Sequence, residues 1–144
     1  MKQSSAQSSF LENEFSMLQF GAKLACENKA PAIIFLQGDL GAGKTTLTRG
    51  FLRELGCKEN IKSPSFTIVE PYEFSNFMVY HFDLYRIHDP EELEYIGLSD
   101  YLTDDAICLI EWPEHASELL PQPTVSCTIE IPDDGIGRLV TCHK

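Results

Sequence analysis

The chain has 144 residues, enough for one hydrophobic core and too few for two ordinary domains. Its 43% hydrophobic and 23% charged residues are ordinary globular composition, and no apolar run approaches the roughly 20 residues that span a bilayer, so a soluble, membrane-free protein is expected. Eleven basic residues against 22 acidic ones give a formal charge of −11 with the cations scattered, which argues against stand-alone binding to DNA or any other phosphate backbone.

The opening stretch, MKQSSAQSS, is polar and leads into no apolar core, so it lacks the layout of a secretory signal. A cytoplasmic protein is expected, with residues 1–9 flexible and the whole of 1–144 forming a single domain. Five cysteines, odd in number and without a Cys-x-x-Cys pair, argue for reduced, mostly buried thiols.

From Glu14 to about Asn28, apolar residues such as Phe15, Leu18, Ala22 and Ala25 recur at helical spacing. Ala32 to Leu36 is a short apolar run ending near Gly38, and Thr45 to Leu55 returns to helical periodicity before Gly56 stops it. Two extended runs, SPSFTIVEPYEF and MVYHFDLY, flank Ser75 and Asn76 as an antiparallel hairpin, with Pro71 marking an edge position. Asp89, Pro90 and Glu92 open a short helix that Gly97 closes. AICLIE reads as a buried parallel strand whose carboxyl end reaches a site. TVSCTIEI and RLVTC form a closing hairpin. The expected architecture is a three-layer α/β/α domain with a mixed, partly antiparallel sheet, the glycine loop following its first strand.

That loop, GDLGAGKT from Gly38 to Thr45, satisfies G-x-x-x-x-G-K-[ST] at every defined position and has a strand before it and a helix after it. The residue types suit a phosphate cradle. Glycines let backbone N–H groups turn inward, the helix presents its positive end, Lys44 reaches terminal phosphates, and the Thr45 hydroxyl ligates Mg²⁺. A magnesium site also needs a carboxylate. Asp83 and Glu111 stand at the ends of apolar strands; Glu111, after the more apolar one, is favoured as the metal ligand, and Asp83 as the organiser of the attacking water or of the metal's outer shell. Trp112, the only tryptophan, adjoins Glu111 and is a candidate nucleotide neighbour. His81 alternates with Phe82 and reads as a packed or hydrogen-bonded histidine. Ser65, in a loop between the second helix and the hairpin, is a candidate contact to metal or γ-phosphate.

Five blocks in order, GDLGAGKTTLTRGFL, SPSFTIVEPYE, VYHFDLYRI, DPEELEYIGLSDYL and ICLIEWPE, resemble the TsaE (formerly YjeE) family, P-loop ATPases of bacterial tRNA N6-threonylcarbamoyladenosine synthesis. The resemblance runs from about Glu14 to Pro121. It implies that ATP is held by the loop from Gly38 to Thr46, with Asp39, Gly41, Ala42, Gly43, Lys44, Thr45 and Thr46 as its binding residues. It also implies Thr45 and Glu111 as magnesium ligands and Asp83 as the acid needed for hydrolysis. Glu14, at the opening of the first helix, and Arg138, in the last hairpin, match further nucleotide contacts. The family's SPT is SPS here, so Ser65 keeps the hydroxyl and lacks the methyl. The family is implied to act with a TsaD-TsaB heterodimer that transfers the threonylcarbamoyl group to tRNA, so tRNA is met only through the complex.

Two other classes fit less well. A small-molecule kinase needs an arginine-bearing lid, whereas the four arginines here are dispersed; a GTP switch needs an Asn-Lys-x-Asp element after the loop, and the single Asn-Lys, Asn28-Lys29, precedes it. A module that binds nucleotide without turnover shares the same motif and remains open at this point.

Overall fold

A computed structural model describes residues 6–61, 64 and 67–144. In chain order the elements are β1 (Ala6–Leu11), α1 (Glu14–Glu27), β2 (Ala32–Gln37), α2 (Lys44–Glu54), β3 (Val69–Glu73), β4 (Met78–Asp83), α3 (Glu91–Tyr95), α4 (Leu98–Tyr101), β5 (Ala106–Glu111), a 3₁₀ turn at Pro113–Ala116, β6 (Val125–Glu130) and β7 (Arg138–His143). The seven strands form one sheet in the order β1-β7-β6-β2-β5-β4-β3. Strands β6, β2, β5 and β4 are mutually parallel where they pair, and β7, β1 and β3 close the two sides antiparallel. This is the mixed-sheet, three-layer α/β fold expected from the sequence.

The period-two alternation of the strands divides the core between the two faces of the sheet. On one face Ile107 and Leu109 of β5 and Val79 of β4 pack with Leu24, Leu47 and Phe51 of α1 and α2. On the other face Cys108 and Ile110 of β5 and Phe82 of β4 pack with Leu93 and Leu98 of the short helices and Ala116 of the 3₁₀ turn. Strand β5 is therefore buried along its whole length, as its uninterrupted apolar sequence requires.

Helix α1 begins at a capping box: the Asn13 side chain accepts from the Ser16 N–H at 2.9 Å, and the Ser16 hydroxyl accepts from the Asn13 N–H at 3.1 Å. Helices α1 and α2 approach unusually closely because glycines face each other's backbone. A Cβ on Gly21 would lie 2.0 Å from the Leu47 carbonyl oxygen, and one on Gly50 would lie 2.1 Å from that of Leu18.

Three features depart from the sequence reading. Residues 6–9, expected to be flexible, lie in edge strand β1, which is held to β7 by backbone pairing from Ala6 opposite His143 to Leu11 opposite Arg138. Most of its side chains are exposed, so it carries little apolar signal. In consequence the glycine loop follows the second strand and not the first. A further short helix, α4, follows Gly97, whose φ of 78° turns the chain between α3 and α4.

Candidate functional site

The glycine loop leaves β2 and enters α2 at the carboxyl ends of the central parallel strands, the edge where open α/β sheets place their ligands. Gly43, with φ 115°, makes the left-handed step into the helix, and the Ala42 N–H donates to the Asp39 carbonyl at 3.0 Å to shape the loop. The helix N-terminus is thus free of a side-chain cap, which leaves its first N–H groups for an anion.

Two hollows adjoin the loop and share Gly41, Gly43 and Thr46. The smaller, of about 260 Å³, is lined by Lys44, Thr45, Asp83, Tyr85, Glu111 and Trp112. The larger, of about 330 Å³, lies between Ala42, Leu11, Glu14, Met17, Gly137 and Arg138. Together they gather most of the residues singled out in the sequence. Asp39 stands apart, in a neighbouring hollow with Gln37, Gly38 and Thr128. Ser65 lies outside the described residues.

Lys44 is almost wholly buried. Its ammonium donates to the Gly38 carbonyl and sits 3.7 Å from the centre of the Trp112 ring. Burial holds its pKa below the ordinary lysine range, and the nearby carboxylates of Glu111 and Asp83 push it back up. Trp112 reaches this position through a left-handed backbone, φ 58° and ψ 47°, a conformation that costs a large side chain energy and is fixed here by packing. Its ring also meets Tyr85 at 5.0 Å and His115 at 5.4 Å between centroids. The adjacency of Trp112 to Glu111 was visible in the sequence; the stacking on Lys44 was not.

Asp83 and Glu111 end neighbouring parallel strands and are direct register partners. Burial and the charge of Glu111 raise the Asp83 pKa, while the Tyr85 N–H, which donates to Asp83 Oδ1 at 3.1 Å, partly offsets the rise. Glu111 is 2% exposed and its Oε2 accepts from Nε2 of the fully buried His81 at 2.5 Å. Among the described residues no group of three or more His, Cys, Asp or Glu side chains surrounds a preformed metal position. The donor set that is present, two crowded carboxylates and the Thr45 hydroxyl, fits a hard divalent cation that takes its other ligands from phosphate and water. Such a cation would relieve the repulsion between Asp83 and Glu111.

In the larger hollow, Arg138 spends its guanidinium on the backbone. It donates to the carbonyls of Ala42 at 3.1 Å, Gly41 at 3.2 Å and Gly137 at 2.6 Å, so it ties the β6–β7 turn to the glycine loop. Glu14 is largely exposed and pairs with Arg49 at 3.5 Å. The sequence reading did not place Tyr85, Met17, Leu11 or Gly137 at the site. Tyr85 had a signal, two residues beyond Asp83 where an Asx turn forms; the others meet the loop only through tertiary packing.

A parallel-centred sheet with a glycine loop running from a strand into a helix, and acids at the ends of adjacent strands, defines a P-loop NTPase fold. A family model described as "Threonylcarbamoyl adenosine biosynthesis protein TsaE" matches residues 11–139. The chain belongs to the TsaE family. It is 48% identical over 130 residues to the tRNA threonylcarbamoyladenosine biosynthesis protein TsaE of Haemophilus influenzae, covering 87% of this chain and 82% of that one. With the Bacillus subtilis protein of the same name it shares 41% identity over 110 residues, 76% and 68% of the two chains. The crystal structure of Bacillus subtilis YdiB superposes with a TM-score of 0.83 at 29% identity, covering 99% of this chain and 88% of that one.

Proposed function

We propose that the chain binds ATP across the two adjoining hollows and hydrolyses it with Mg²⁺, as the ATPase of tRNA threonylcarbamoyladenosine formation. The observation that carries this reading is the register pairing of Asp83 with Glu111 in a cleft that also holds Lys44 and Thr45. Phosphoryl transfer asks a protein mainly for positioning and charge stabilisation, and these four residues supply both. Bound Mg²⁺ would contribute Lewis-acid polarisation of the phosphate oxygens.

In this reading the loop N–H groups and the α2 terminus hold the phosphates. Lys44 leaves the Gly38 carbonyl to neutralise terminal phosphate charge, and the Thr45 hydroxyl and Glu111 hold the metal. Asp83, its carboxylate oriented by the Tyr85 N–H, accepts a hydrogen bond from the attacking water. Leu11, Met17 and the Gly137 turn offer the second hollow to the base and ribose.

Lys44 is the one cationic side chain among the described residues lining the smaller hollow, and Arg138 is committed to backbone carbonyls. P-loop enzymes without an arginine at the transferring phosphoryl group turn over slowly. Slow hydrolysis alone, raised by a TsaD-TsaB heterodimer, follows from that deficit; the partner performs the threonylcarbamoyl transfer and meets the tRNA. Among the described residues no helix is long and apolar enough to cross a membrane, which agrees with work in the cytoplasm.

The test is ATP turnover by the chain alone and with TsaD, TsaB and tRNA, using Lys44→Ala and Glu111→Ala as controls. The expected result is a rate that rises with the partners and falls by about 10²-fold or more in either variant. Equal rates with and without the partners would refute the assigned role, and full activity in both variants would refute the assigned site.

A further inference from the structure

His81 is not among the residues lining the cleft, yet it is hydrogen-bonded to one of them, Glu111. It lies on β4 two residues before Asp83, on the sheet face shared by Val79 of β4 and by Ile107 and Leu109 of β5. Its register partner is Leu109, two residues before Glu111. The parallel pairing of β4 with β5 therefore sets an imidazole beside a carboxylate that the chain keeps 30 residues away.

Both groups are buried, His81 at 0% and Glu111 at 2% exposure. The contact joins His81 Nε2 to Glu111 Oε2. A carboxylate accepts, so Nε2 carries the hydrogen of this bond. Nδ1 has no hydrogen-bond partner among the described residues. A buried polar atom left unsatisfied is costly, and packing alone would favour an apolar side chain at this position. The bond to Glu111 is the polar contact that offsets the cost of a histidine here. Without it, Glu111 would be free to turn towards Lys44, with which it already interacts electrostatically.

We propose that His81 is a positioning residue: by holding Glu111 Oε2 inside the sheet it directs the other carboxylate oxygen to the cleft and keeps Glu111 from neutralising Lys44. This rests on the reading of the cleft as a magnesium–nucleotide site. Outer partners of metal ligands act in this manner, and their loss weakens metal affinity by roughly 10–100-fold.

Two variants of similar polarity separate orientation from packing. In His81→Gln the amide N–H can stand near the place of Nε2; in His81→Asn the amide ends nearer the place of Nδ1 and falls short of Glu111. The readout is the fluorescence of Trp112, the only tryptophan, which lies against Lys44 in the cleft. ATP is titrated in EDTA, and Mg²⁺ is then titrated into the ATP complex. The expected result is ATP affinity in EDTA close to wild type for both variants, an Mg²⁺ half-saturation raised about tenfold or more in His81→Asn, and one close to wild type in His81→Gln. In a Glu111→Gln background, His81→Asn should add nothing further.

Mg²⁺ half-saturation unchanged in His81→Asn would overturn the proposal. So would an equal loss in both variants that persists in the Glu111→Gln background, which would make the role one of packing. Wild-type protein whose fluorescence responds neither to ATP nor to Mg²⁺ would overturn the nucleotide reading itself, and the proposal with it.

Discussion

Asp83 carries a conflict that the folded chain does not relieve by itself. Burial and the charge of Glu111 raise its pKa, and the Tyr85 N–H, His81 and Lys44 offset only part of the rise. A carboxyl whose pKa is higher in the folded than in the unfolded chain favours folding below the unfolded value, about 3.9, and that contribution is lost as the pH rises through the folded value. At neutral pH the ionised Asp83 therefore opposes folding in protein free of divalent cation. Asp83→Asn should melt at a higher temperature than wild type at about pH 7.5 in EDTA, with the difference shrinking towards about pH 4. The same variant should lose hydrolysis, the usual exchange of stability against a site's function. Melts across this range decide the matter: a constant difference would show that the charge is not its origin.

At the scale of elements, the entry to the site depends on how α2 is seated, because Lys44 opens that helix and the loop runs directly into it. Gly21 and Gly50 allow α1 and α2 to touch backbone to backbone. Gly50→Ala gains about 1 kcal/mol in helix propensity, but its methyl would have to displace the Leu18 carbonyl, and overpacking of that kind costs about 1–3 kcal/mol or more. Net destabilisation in urea is expected, with an unchanged denaturant slope; a more stable variant would mean that the helices separate at little cost. Apolar spacing located α1 to within a residue of its observed end, and uninterrupted apolar runs located β2 and β5, because these elements bury a face that their own sequence must supply. Strand β1 was hard to read for the opposite reason: its opening Ala-Gln-Ser-Ser stretch is largely exposed and held mainly by backbone pairing to β7, which leaves little trace in residue type. The site divides in the same way. Lys44, Thr45, Asp83 and Glu111 could be named from a local motif and from strand ends. The bond from His81 to Glu111 and the clamp of Arg138 on Gly41 and Ala42 exist only once distant strands are neighbours.

For the whole molecule, the charge of −11 sets how it can meet a partner. An acidic chain gains little from approaching tRNA directly, since like charges raise the barrier to encounter. If the proposed TsaD-TsaB partner supplies the complementary basic surface, long-range attraction acts mainly on the encounter and short-range contacts govern departure. Salt shortens the reach of that attraction, from about 14 Å at 50 mM to about 6 Å at 300 mM by the square-root scaling of the Debye length. The association rate measured by stopped-flow should therefore fall by about tenfold over this interval while the dissociation rate changes little. A flat association rate would point instead to apolar docking, for which the exposed Phe10, Phe15 and Ile136, each next in sequence to a residue lining the larger hollow, offer one surface. Phe10 packs its ring against the Gly137 turn beside Arg138, so docking there would bear directly on the loop. The two routes then differ in a second observable. Electrostatic capture leaves partner binding insensitive to Phe15→Ser, whereas apolar docking through Phe15 makes partner binding, and the proposed activation, depend on that side chain.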